Sequence, residues 1–135
     1  MKYAEFIQAV ARRPKMSSTQ AEPITRATLE TLAERLTGGQ ARDLAAQLPE
    51  ELRGYLRKPD ERPEPFGLAE FFERVQKRAA VDLQSANDGV CAVLDTLREA
   101  VSAKEYGDFV DQLPKEFWPL TGPAANRLET RRVGT

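Results

Sequence analysis

The sequence predicts an all-α fold: a tandem duplicated helical unit, three helices plus a short fourth in each copy, packed as one pseudo-twofold helical bundle. Three observations predict it. Apolar residues recur at helical spacing, as in Tyr3, Phe6, Ile7 and Val10, which stand at i, i+3, i+4, i+7. No segment alternates with period two over strand length, so no sheet is expected. The chain also repeats itself: residues 4–53 laid on 69–118 without a gap give 16 identities in 50 positions, where about four arise by chance.

The elements follow in order. The first helix carries the Tyr3–Val10 face, repeated by Leu68, Phe71, Phe72 and Val75. The second shows Leu29, Leu32, Ala33 and Leu36, matched by Val90, Val93, Leu94, Leu97 and Val101. The third shows Ala41, Leu44, Ala45 and Leu48, matched by Tyr106, Phe109, Val110 and Leu113. Ser17-x-x-Gln20, Thr37-x-x-Gln40 and Ser102-x-x-Glu105 have the spacing of capping boxes, in which each residue satisfies a free N–H of the other. Asp82 is the expected N-cap of the long helix in the second copy. Gly38-Gly39 is expected to end a helix, and Pro49 and Pro114 each to open a short one. Pro23 is dissonant, and must lie in a first turn or push the helix start later. The boundaries are residues 1–57 for the first unit, 58–67 for a Pro-rich linker, 68–120 for the second unit and 121–135 for a flexible tail.

Composition narrows the function. The 135 residues carry a formal net charge of −1, so no global field draws the chain to nucleic acid or an anionic membrane. Residues 1–60 hold 10 basic and 8 acidic side chains, and residues 61–120 hold 7 and 12. This imbalance is read as surface solvation. Cys91 is the only cysteine, so no intrachain disulfide is expected, and its default is a buried, inert thiol. No apolar run spans a bilayer, and Met1–Arg13 lacks the apolar core of a signal peptide; the expectation is a cytoplasmic protein.

The chemistry available is sparse. Histidine is absent, which removes the usual general base and most zinc and iron sites. One cysteine cannot build a thiolate cluster, and Gly38-Gly39 is no phosphate loop. Glu30 with Glu34, and Asp95 with Glu99, stand at i, i+4, but a dimetal centre would require Glu-x-x-His partners. A solvated face with Arg35 and Arg98 nearby is the better reading. Asp43 with Gln47 recurs as Asp108 with Gln112, which points to a hydrogen bond fixing the third helix before its Leu-Pro turn. No catalytic, cofactor or metal site is expected, and the protein is read as not an enzyme.

The partner-binding candidates are Trp118 with Phe117, and the cations Arg12, Arg13, Arg57 and Lys58. Phe117-Trp118 is expected to seal the core at the bundle end, with any exposed part of Trp118 serving as an anchor. The cations belong to a wider basic set on the first unit that includes Lys15, Arg26 and Arg53, and this set would serve a nucleic-acid-associated regulator. Glu105, Asp108 and Asp111 on the third helix of the second unit argue against nucleic acid, because phosphates would repel them.

Two phrases suggest a family. Thr31-Leu32-Ala33-Glu34-Arg35-Leu36 followed by Ala41 to Arg53, with its Ala46-Gln47-Leu48-Pro49 turn, closely resembles the bacterial domain of unknown function 2267 family. Phe66 to Val75 resembles the opening of that family's second half, and Val93 to Val101 its long helix. The resemblance covers residues 2–120, with Pro23 and Gly67 as local departures. It implies an all-helical duplicated fold of bacterial origin and brings no catalytic residues. The functional expectation is therefore a non-enzymatic interaction or adaptor protein that binds another protein or itself, without cofactor or membrane.

Overall fold

A computed structural model describes residues 1–13 and 16–122. These residues form eight α-helices and two short 3-10 turns, with no strand among them. The first half holds α1 (Tyr3–Arg12), α2 (Ser18–Arg35), α3 (Gly38–Ala46) and α4 (Glu50–Arg53). The second holds α5 (Leu68–Ala79), α6 (Leu83–Ala100), α7 (Ala103–Asp111) and α8 (Trp118–Thr121). The periodic faces are the buried ones: Phe6, Ile7 and Val10 on α1, Phe71 and Val75 on α5, Leu29 and Leu32 on α2, Val90 and Leu97 on α6.

The long helices α2 and α6 cross at the centre, and α1 and α5 each pack on both of them, while α3 lies against α7. Neither half encloses its own core. Ile24 of α2 sits so close to Gly89 of α6 that a Cβ there would stand 2.2 Å from Ile24 Cγ1. Glycine costs about 1 kcal/mol in a helix interior, and the close crossing it permits is the reason for its presence. Each fully buried Phe or Leu contributes about 1.5–3 kcal/mol, against roughly 1 kcal/mol for a single polar contact. The core supplies the stability, and the polar contacts between the halves choose the register.

Those polar contacts come in pairs offset by 65 residues. Arg13 donates to Thr96 Oγ1 at 2.9 Å, and Arg78 to Thr31 Oγ1 at 2.7 Å. Arg13 pairs with Glu99, and Arg78 with Glu34. Thr31 and Thr96 each donate to the carbonyl four residues back, Ala27 and Ala92.

Several local expectations change. Helix α2 starts at Ser18 with its capping box to Gln20 formed, so Pro23 lies in the second turn and does not delay the start. Pro23 and Thr19 are both exposed, so water can take the Thr19 carbonyl that proline leaves without a donor. Gly38-Gly39 opens α3 and does not end α2. Gly38 N–H donates to the Glu61 carbonyl at 2.9 Å, and a Cβ at Gly38 would meet the Glu61 carboxylate at 2.1 Å. Pro49 and Pro114 are N-caps, one residue earlier than a first helical position. Asp82 caps α6 as expected, accepting from Ser85 N–H at 2.8 Å, and that bond holds its carboxyl below the usual range.

The Pro-rich segment 58–67 is docked on the first half. Glu64 N–H donates to the Glu34 carbonyl at 2.7 Å, Lys58 Nζ to the carbonyls of Leu36 and Arg62, and Arg35 to the Glu64 carbonyl. The free carbonyls at the end of α2 are thus satisfied from outside the helix. Phe66 is buried, with the Arg74 guanidinium 3.9 Å and that of Arg35 5.6 Å from its ring centre. At the other end, Thr121 is buried and its carbonyl accepts from Tyr106 Oη at 2.9 Å and from Arg98. The expected tail lies, from residue 123 onward, outside the described residues.

Candidate functional site

Three places on the molecule bring chemistry-bearing side chains together. The first is the contact between α3 and α7. Thr37 and Ser102 cap these helices, accepting from the N–H of Gln40 at 3.1 Å and of Glu105 at 3.1 Å. In a capping box the third-residue side chain would return to the cap N–H. Here Gln40 and Glu105 instead reach each other, Gln40 Nε2 donating to Glu105 Oε2. The vacated duty passes across the contact: Thr37 N–H donates to Gln112 Oε1 at 3.0 Å, and Ser102 N–H to Gln47 Oε1 at 2.7 Å. Gln47 and Gln112 therefore fix the third helix of the opposite half, not their own. Burial pushes the Glu105 carboxyl above the usual range, and Asp43 and Asp108 push it the same way against Lys104 and the Gln40 bond.

The second is the Glu34 cluster. Glu34 receives Arg74 at 3.0 Å and both terminal nitrogens of Arg78 at 2.8 and 2.7 Å. Burial alone would raise its carboxyl, but these arginines outweigh it and the net shift is downward. Arg74 also pairs with Glu64 and Glu70. The expected solvated face with Arg35 and Arg98 is thus corrected. The arginines that hold Glu34 and Glu99 come from the opposite half, while Arg35 and Arg98 bond carbonyls. The charges lie at helical spacing in both halves, but the sequence pattern did not say which arginine would meet which glutamate.

The third is the end of the second half. Phe117 is buried, edge-to-face with Phe71 at 5.4 Å between centroids. Trp118 begins α8 and remains 41% exposed. Its indole N–H donates to the carbonyls of Val110 at 3.2 Å and Leu113 at 3.1 Å. The Val110 carbonyl also accepts Leu113 N–H at 3.0 Å, so the indole adds a second donor there and reaches the Leu113 carbonyl just past α7, and the same contact orients the ring. Arg53, 65 residues earlier, donates in the same way to the Leu48 carbonyl at 3.0 Å.

The expected basic patch is divided by the fold. Arg13 and Lys58 are used inside it, Arg26 pairs with Glu30, and Arg53 caps a carbonyl. Arg12 and Arg57 are exposed, and Lys15 lies outside the described residues. Arg57, Lys58, Arg26 and Arg78 line two adjoining grooves of about 240 and 660 Å³ that share Tyr55, Glu30 and Arg78. Glu22 and Glu34 line them as well. Cys91 is buried in α6. The 65-residue offset pairs Thr31 with Thr96, but sequence reading gave neither a role. Their identity at matched positions was the available signal, because a hydroxyl retained twice on the buried side of a helix implies a partner.

The described residues thus define an all-helical protein whose halves are joined by reciprocal polar contacts, with one oriented tryptophan at its surface. None of its described helices is long and apolar enough to cross a membrane. Residues 3–120 match the family described as Uncharacterized conserved protein (DUF2267), and the chain belongs to that family. No curated protein matches the chain.

Proposed function

We propose that this chain is a non-enzymatic cytoplasmic adaptor that binds another protein through the Trp118 end of its second half. The scaffold is a tandem duplicated unit with its two copies related by a pseudo-twofold axis. The observation that carries the binding role is the state of Trp118: 41% exposed yet oriented by two carbonyls. A large aromatic face held in place before binding loses little entropy on contact, the property of residues that dominate interfaces. Support for the duplicated arrangement comes from the contacts that recur at the 65-residue offset, and from Gln40 and Glu105, themselves 65 apart, bonding each other.

Affinity capture from a lysate of the source cells, with and without nuclease, tests the binding role. The expected result is one protein held at stoichiometric yield after nuclease and reduced roughly tenfold or more by Trp118→Ala, at unchanged helical content. Retention equal in wild type and variant overturns it. A nucleic-acid role is the second reading, favoured by Arg57, Lys58, Arg26 and Arg78 beside Tyr55 in one groove system. It ranks lower because Glu22, Glu30 and Glu34 line the same grooves and would repel phosphate. Binding that disappears with nuclease and falls steeply with salt would place it first.

A further inference from the structure

We propose that the cleft where α2 and α6 begin is a binding site for a small hydrophobic amine. The cleft has a volume of about 460 Å³, within the range of small-molecule sites. Met16, Pro23, Ile24 and Val81 supply apolar surface, and Thr19, Gln20, Ser85 and Asp88 polar surface. Its shape comes from a mismatch between matched positions. Ile24, which lines the cleft, lies over Gly89, 65 residues on, so the two helices approach closely beside it. Ala80 adds a wall. It closes α5 in the left-handed conformation at φ 56°, and the turn, held by Val81 N–H on the Gln76 carbonyl at 3.2 Å, brings Val81 to the cleft. A non-glycine residue in that conformation costs about 1 kcal/mol.

The charge selects the ligand. Among the described lining residues Asp88 is the only ionisable one. Gln84 Nε2 donates to its Oδ1 at 3.0 Å, and no described residue bonds Oδ2. A carboxylate with one open oxygen, beside a hydroxyl and above apolar walls, suits a primary ammonium on a short apolar body. It disfavours a carboxylate or phosphate. This site is separate from the Trp118 surface and does not rest on the adaptor reading. It begins α6, whereas the Thr121 end of α8 is bonded to Arg98 near the end of that 18-residue helix.

Titration calorimetry of the full chain with 2-phenylethylamine and with its neutral analogue 2-phenylethanol tests the proposal. The amine is expected to bind saturably and about tenfold more tightly than the alcohol. Asp88→Asn, a near-isosteric change at an exposed position, should bring the two to equal affinity. Val81→Trp should weaken both by filling the cleft. Equal affinities in the wild type, a preference for the amine that survives Asp88→Asn, or no saturable binding of either compound would overturn it.

Discussion

Glu34 and Glu105 both join the first half of the chain to the second, yet they do so in opposite electrostatic surroundings. Glu34 lies between Arg74 and Arg78, which draw its carboxyl below the usual range despite partial burial. Glu105 lies against the neutral amide of Gln40, and burial, Asp43 and Asp108 push its carboxyl upward. A carboxylate at an internal contact is therefore not one kind of interaction. Where arginines surround it, its charge is the adhesive. Where other acids surround it, the hydrogen bond is the adhesive and the charge is a cost.

Removing the charge should separate the two sites. Glu34→Gln is expected to destabilise the fold by about 2 kcal/mol, because it leaves Arg78 without its carboxylate in a half-buried site. Glu99→Gln at the matched position should lose less than about 1 kcal/mol, since Glu99 is half exposed and has Arg13 as its ion-pair partner. Urea denaturation of both variants makes the comparison; equal losses would refute the ranking.

The caps that cross between α3 and α7 provide a sharper test of reciprocity. Gln47→Ala and Gln112→Ala should each lose about 1 kcal/mol, and by similar amounts, because each leaves an N-cap N–H without its acceptor. A clear inequality would show that only one of the two bonds persists in solution.

The smallest effect is expected at Glu105. Glu105→Gln keeps an amide acceptor for Gln40 and removes the repulsion from Asp43 and Asp108, so at neutral pH stability should hold or rise by up to about 1 kcal/mol. The sign with pH follows from the raised carboxyl. Its stabilising contribution is complete below the ordinary carboxylate range and is lost as pH rises through the folded value. Glu34, with its lowered carboxyl, contributes above the ordinary range and loses that contribution as pH falls. Melting curves from pH 3 to 8 should show the Glu105 loss on raising pH in the wild type and not in Glu105→Gln.

Much of this arrangement was legible in the sequence. Helical spacing gave the buried faces, and the 65-residue offset gave the matched pairs Arg13 and Arg78, Thr31 and Thr96, Glu34 and Glu99, in which each arginine meets the threonine and glutamate of the opposite half. What local patterns could not give was the partner. Ser102-x-x-Glu105 reads as a capping box, because nothing within four residues reveals that Gln40 competes for the carboxylate. Gly38 reads as a stop signal, because only the docked segment bearing Glu61 explains it as a place where a side chain would not fit. Trp118 was visible as a candidate, but its orientation depends on the carbonyls of Val110 and Leu113, which the turn after α7 brings to its indole.

The Gln40–Glu105 bond carries a consequence for the history of such a protein. In a symmetric dimer of separate short chains, a side chain on the axis meets its own copy, so a carboxylate there must face a carboxylate. Joining two copies in one gene removes that restriction, and each position is then free to mutate alone. Under the proposed relation between the halves, positions 40 and 105 are where that freedom was used: an amide now donates to an acid, a pairing that two identical chains could not make on their axis.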